Sequence, residues 1–349
     1  MSSAAARGLV ISLVTTPPNR AESLATYKHP KARVLSGRQK DNRRMTDTRI
    51  NARPASRWMG LLGAALVVAP AVAHAQPLDL FYERTVMEAA DSRCGLFTPQ
   101  LARALASAAE QARGAALRAG ASREDVARAE RVARLRAAEA DCRGQDVMLA
   151  ANRVKQAFTG FARINRLTYH GDVAAWAADR YVTPTNPWRL KQEAAFGADR
   201  LMFGLAGGEA APVLLAVAQF ADGATPYGAR LVLRDTRRSS GPYLRRATGG
   251  PTAGLSLPER MPPSGALTGI LAEARSEAAR DLLPKPQQGG QDDGWAFRFP
   301  PQAAGALAGL DPREAVAVDF LFPGDRVRRA YVEVGDFAAG QAFVKLASR

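Results

Sequence analysis

The chain has 349 residues, 48 Lys+Arg against 33 Asp+Glu, two cysteines and three histidines, for a formal net charge of +15. So basic a balance points first to nucleic acid, while two cysteines exclude an all-cysteine zinc cluster, which needs four thiolates. The charge is unevenly placed, however: residues 1–75 carry 12 of the basic side chains and 3 of the acidic ones, so the remaining 274 residues stand at only +6.

Residue 75 is a natural point at which to divide the chain. Arg49, Arg53 and Arg57 precede an apolar run from Trp58 to Ala69, Pro70 breaks it, and Ala73-His74-Ala75 supplies the small residues that signal peptidase requires. Cleavage is therefore expected between Ala75 and Gln76. Residues 45–75, starting at Met45, read as a Sec-type signal peptide, and residues 1–44 as a misassigned upstream extension. The apolar run is shorter than the roughly 20 residues of a membrane-spanning helix, so no transmembrane helix is expected in the mature chain. Gln76, where a lipoprotein would carry cysteine, argues against a lipid anchor. A periplasmic or secreted location removes nucleic acid as a partner. It also places Cys94 and Cys142 in an oxidising compartment, where a disulfide between them is expected.

Residues 76–165 read as a four-helix up-down bundle. The first helix holds Leu80, Met87 and Cys94 on one face. The second opens at Thr98-Pro99, an N-cap followed by proline where the missing N–H costs nothing, and Leu101, Leu105, Ala108, Ala112 and Ala116 recur at helical steps until Gly120. Ser122 caps the third, with Asp125 at the capping-box position and Val126, Ala129, Val132, Leu135 and Ala138 as its face. The fourth follows Gly144 with Val147, Ala151, Val154, Phe158 and Phe161 in register. Up-down connection brings Cys94 and Cys142 to the same end of the bundle.

Residues 166–349 read as a mostly antiparallel sheet domain with one or two helices and flexible loops at 236–264 and 284–294. "WRLKQEAAFGADRLMFGLAGG" gives two strands around Gly197-Ala198-Asp199, and "APVLLAVAQF" a buried strand. "ARLVLRD" gives a strand with Ala229, Leu231 and Leu233 inward. A helix is expected after Ser264, with Leu267, Leu271, Ala274, Ala278 and Leu282 on its face. Strands follow at "WAFRF", "AVAVDFLF" and "RVRRAYVEV", the last two joined by Pro323-Gly324-Asp325, and Asp336 caps a closing helix. The fold class is thus α+β.

The standard catalytic constellations are missing. Beyond residue 75 His170 is the one histidine, and neither GxSxG nor GxxxxGK[ST] occurs. No catalytic residue, metal ligand or cofactor is expected. His170-Gly171-Asp172 and the carboxylates Asp319, Asp325 and Asp336 are the places where a hydrolase would have to keep its acid and base. The strongest binding feature is the loop bearing Arg234, Arg237, Arg238, Arg245 and Arg246 with Tyr243 among them, because guanidinium forks suit phosphate and carboxylate and a tyrosine adds a stacking face. The expected role is non-catalytic binding of an anionic envelope polymer or a protein partner. The closing strand, basic hairpin and "VEVGDFAAGQAFVKL" resemble the end of invasion-associated locus B-type periplasmic proteins. That resemblance implies a periplasmic protein; the family's cysteines have no counterpart in this stretch, and no residue role follows from it.

Overall fold

The computed structural model describes residues 76–183, 185–207, 212–244, 254–284 and 293–345. Ala73 and Ala75 of the expected cleavage motif, and Arg245 and Arg246 of the arginine loop, lie outside the described residues. Gln76 is exposed and occupies the N-cap position of the first helix. No helix among the described residues is long and apolar enough to cross a membrane. The fold is α+β, with two antiparallel sheets and six α-helices in that part of the chain.

Four helices come first: α1 (Pro77–Cys94), α2 (Pro99–Arg118), α3 (Arg123–Glu139) and α4 (Gln145–Ala162). Thr98 accepts the Leu101 N–H at the start of α2, and Ser122 accepts the Asp125 N–H at the start of α3. Each satisfies a donor that the first helical turn leaves open. Cys94 and Cys142 form a disulfide with Cα atoms 5.5 Å apart, tying the end of α1 to the segment after α3.

The buried face of α3 differs from the expected one. Steps of three residues fall about 60° short of a full turn each time, so a row built only on such steps winds off the face it starts on. The buried residues are Val126, Ala133 and Ala137, whereas Val132 is 48% and Leu135 65% exposed.

Helix α2 is central. It packs on α1 and α4 and also on the C-terminal helix α6 (Phe337–Val344). Its buried face is mostly small, with Ala104, Ala108, Ala112, Gly114 and Ala116, which lets α6 approach closely. A Cβ on Gly114 would sit 2.5 Å from Asp336 Oδ1. Through that gap Arg118 takes both oxygens of Asp336, at 2.7 and 3.0 Å. Asp336 does stand at the N-cap position of α6, but its side chain makes no capping hydrogen bond and joins two helices instead.

The strands are β1 (Arg166–His170), β2 (Ala175–Asp179), β3 (Trp188–Phe196), β4 (Asp199–Ala206), β5 (Val213–Gln219), β6 (Gly228–Arg234), β7 (Leu267–Leu271), β8 (Ala274–Glu277), β9 (Trp295–Arg298), β10 (Ala315–Phe322) and β11 (Arg326–Glu333). They form one seven-stranded sheet in the order β1-β2-β3-β4-β5-β9-β8 and one four-stranded sheet in the order β11-β10-β6-β7. The hairpins read from the sequence at Gly197–Asp199 and Pro323–Asp325 are present.

The helix expected after Ser264 is not. Ser264–Ala266 makes a single 3-10 turn, and the following residues form β7 and β8. Gly265 and Gly269 weaken a helix, Thr268 and Ile270 favour extended backbone, and β6 and β9 each offer a free edge to pair with. The second helix of this half is instead α5 (Gln302–Ala308), which follows Pro300-Pro301.

Both sheets share a hydrophobic core with α1, α2, α4, α5 and α6, while Val126 of α3 packs in a smaller cluster with Phe81, Ala112 and Leu117. Phe320 of β10 stacks on Phe196 at 5.6 Å and meets Phe220 and Phe297 at 5.3 and 5.5 Å, so aromatic contacts join the two sheets.

At the other end of the core lies the carboxylate of Glu333, 1% exposed. It accepts the backbone N–H groups of Asp172, Val173 and Ala174 at 2.8, 3.0 and 2.7 Å, and Arg260 Nη1 at 3.1 Å. Gln192 accepts the Glu333 N–H at 2.8 Å, and the Trp176 indole donates to the Glu333 and Val334 carbonyls. Gly171 makes this arrangement possible, since a Cβ there would overlap Glu333 Oε2 and lie 2.6 Å from the Ala174 carbonyl. Glu333→Gln should cost about 3–5 kcal/mol, because it leaves a buried guanidinium short of its counter-charge. Urea denaturation followed by circular dichroism measures this, and a loss below about 1 kcal/mol would contradict the assignment.

Candidate functional site

The residues singled out from the sequence fall into three groups. The first is engaged inside the fold. Arg234 ends β6 at 1% exposure, with its Nε on Glu314 and its Nη1 donating to the Ser239 carbonyl at 3.0 Å. It was expected on a solvent-facing loop. Burial of the whole strand end and the presence of Glu314 draw it inward. Asp319 is fully buried, directly across the strands from Arg230 on β6 and Arg329 on β11. Burial opposes its ionisation, but the two guanidiniums outweigh that and hold its carboxyl below the usual range. Asp336 is held by Arg118 as described. None of these carboxylates keeps a free face for acid–base chemistry.

The second group is at the surface. His170 is exposed at the end of β1, opposite Ala175. The Asp172 carboxylate accepts from Arg260 at 3.2 Å. Asp325 is exposed in the β10–β11 turn with φ of 55°, a left-handed conformation that aspartate tolerates better than most residues.

The third group is the described part of the arginine loop. Arg237 and Arg238 are exposed, and Tyr243 is 45% exposed. The turn is shaped by Asp235, which accepts the Arg237 N–H at 2.9 Å and pairs with Arg238 at 3.4 Å. Arg123, at the start of α3, donates to the Ser240 carbonyl at 2.8 Å. The loop is therefore anchored at both its root and its flank while the Arg237 guanidinium and the Tyr243 ring face solvent.

A further concave site has no counterpart in the sequence reading. A cleft of about 780 Å³ lies between α1, α2, α3 and the α5–α6 corner. Phe81, Ala89 and Ala109 are among its apolar lining residues, and Glu88, Glu110, Glu130, Arg113 and Arg134 supply its charge. Arg134 pairs with Glu130, and Arg113 lies 3.8 Å from Glu110. Burial, followed by the neighbouring Glu110, raises the carboxyl of Glu88 above its usual range, with Arg134 opposing. Glu110 is raised by burial and by Glu130, against Arg113. The pairs i,i+3 and i,i+4 are visible in the sequence as single-helix patterns. What brings the three glutamates together is the packing of α1 on α2 and α3, which helical periodicity does not specify. Among the described residues no group of three or more His, Cys, Asp or Glu side chains is arranged to hold a metal ion.

No protein-family model, curated protein or solved structure matches the chain.

Two outcomes follow from these placements. Arg234→Ala should destabilise the fold by about 3–5 kcal/mol by leaving Glu314 buried and unpaired. Arg237→Ala and Arg238→Ala should stay within about 0.5 kcal/mol of the parent, as exposed substitutions do; thermal melts of the three variants decide it. Glu83 offers a separate test. Burial, with Asp79 next and Arg84 opposing, pushes its carboxyl up to about 7, and its Oε2 is buried without a hydrogen-bond partner among the described residues. A carboxyl raised in the folded state contributes stability below its unfolded pKa, and that contribution is lost as pH rises through the folded one. Glu83→Gln should therefore melt higher than the parent at pH 8, with the advantage shrinking toward pH 5. Equal pH profiles for the two proteins would refute it.

Proposed function

We propose that the chain is an exported protein of the bacterial cell envelope, periplasmic or secreted, that binds an anionic envelope component and is not a catalyst. In this reading the four N-terminal helices form an up-down bundle stapled by Cys94–Cys142 in an oxidising compartment. The ligand meets Arg237, Arg238 and Tyr243, together with Arg245 and Arg246 of the same loop. Phosphate-bearing glycolipid or acidic polysaccharide is the chemistry that such forks and a stacking ring suit. The proposed kinship of the closing stretch with invasion-associated locus B-type proteins agrees with that compartment.

The observation that carries the reading is a division among the arginines. Arg118, Arg234, Arg260 and Arg329 are engaged with buried carboxylates of the fold, whereas Arg237 and Arg238 are exposed on an anchored turn next to an exposed tyrosine, with Arg238 paired to Asp235 of the same turn. The same engagement leaves Asp319, Asp336 and Glu333 unsuited to hydrolysis.

The test has two arms. In fractionated cells, thiol alkylation should leave Cys94 and Cys142 unlabelled in the envelope or secreted fraction; full-length protein in the cytosol with both thiols labelled would overturn the compartment. Replacing Arg237, Arg238, Arg245 and Arg246 by Ala should reduce capture of purified lipopolysaccharide by about tenfold or more without lowering the melting temperature. Unchanged capture by a folded variant would overturn the loop as the binding surface.

A further inference from the structure

The seven-stranded sheet ends at β8, and that edge has an unusual order of charges. Strand β8 pairs with β9 in the register Ala274↔Arg298, Arg275↔Phe297, Ser276↔Ala296 and Glu277↔Trp295. On the far side of β9, Phe299 donates to Leu214, which turns the backbone groups of Phe297 and Trp295 toward β5 and those of Ala296 and Arg298 toward β8. Ala278 donates to Gly294 in the same phase. The backbone N–H and C=O groups of Ser276 therefore face β9, and those of Arg275 and Glu277 face outward, since they alternate along an antiparallel strand. All four residues of β8 are exposed.

We propose that this edge pairs with the same strand of a second copy, antiparallel, about a two-fold axis through Ser276. Centring the axis there sets Arg275 opposite Glu277 of the other copy, twice. Both residues have outward backbone groups, so each such pair exchanges two hydrogen bonds in the ladder. The charges match at the same time, and opposite charges directly across two strands attract. An edge of one sign would repel its own copy, which is how sheet edges are ordinarily protected; here the sign alternates at the two-residue step that self-pairing needs.

The side chains are placed for this. The Arg275 guanidinium lies 4.2 Å over the Trp295 ring, with its Nη1 on the Pro226 carbonyl at 3.0 Å, which leaves its other donors for a partner. The Glu277 carboxylate has no hydrogen bond or ion pair among the described residues. Two large exposed apolar side chains flank the edge. Leu271, 63% exposed, ends β7 three residues before β8, and Tyr227, 58% exposed, follows the Pro226 that Arg275 holds. A second copy would cover both. Because the paired strand is short, the contact belongs with weak, reversible interfaces rather than obligate ones.

Sedimentation equilibrium of the oxidised protein should show a monomer–dimer equilibrium with a dissociation constant between about 10 µM and 1 mM, a weak association. Glu277→Arg should weaken it at least tenfold, and an equimolar mixture of Glu277→Arg with Arg275→Glu should restore it. If Arg275→Glu fails to fold, Ser276→Cys serves independently. Directly opposed residues of a non-hydrogen-bonded pair have Cα atoms about 4.5 Å apart, within disulfide reach. Mild oxidation should therefore yield covalent dimers of Ser276→Cys far faster than of Ser240→Cys, on the arginine loop. A strictly monomeric protein up to 1 mM would overturn the proposal, as would a dimer indifferent to Glu277→Arg or equal cross-linking of the two cysteine variants.

Discussion

The architecture rests on a carboxylate taken out of water. Glu333 ends β11, yet its side chain organises the β1–β2 turn through three backbone N–H groups, and it is closed over by Arg260 from the segment before β7. A buried charge is tolerable only if hydrogen bonds replace its hydration, and here they come from widely separated parts of the chain. The turn, the end of β11 and the Arg260 segment must therefore be in place together. Trp176 and Gln192 extend the same junction into β2 and β3. The fold is thus cooperative across its sheets for an electrostatic as well as a hydrophobic reason.

Arginine performs this task repeatedly. Glu314 takes Arg234, Asp319 takes Arg230 and Arg329, and Asp336 takes Arg118. A planar guanidinium presents five N–H donors and satisfies carboxylate and carbonyl partners at once. Part of the basic composition is therefore internal, while other arginines, Arg131, Arg136 and Arg166 among them as well as Arg237 and Arg238, stay at the surface.

How much of this was legible in the sequence depends on the range of the interaction. The caps at Thr98 and Ser122, the β3–β4 and β10–β11 hairpins and the cysteine pairing rest on neighbouring residues or on simple up-down geometry, and they read directly. The segment 264–283 misleads because its apolar spacing fits a helix, whereas the free edges of β6 and β9 decide for strands. The β1–β2 pair gives little warning, since "AWAAD" has weak alternation and its turn is shaped by Glu333, far along the chain. The same limit applies to the sites. Arg234 looks like its loop neighbours until Glu314 is seen beneath it, and the Glu88–Glu110–Glu130 cleft exists only through the way three helices meet.

The choice of arginine for the internal pairs bears on the molecule's tolerance of its surroundings. A guanidinium keeps its proton under any alkaline condition that a protein chain survives, so base has no means of discharging the Arg260–Glu333, Arg118–Asp336 and Arg234–Glu314 couples from their cationic side. On the anionic side, burial lifts the carboxyls of Asp336 and Glu314 above their usual range against the guanidiniums that oppose it. A carboxyl raised in the folded state holds its proton more firmly there than in the unfolded chain, so the joints at the closing helix and at the root of the arginine loop are not the places where mild acid would prise the molecule open.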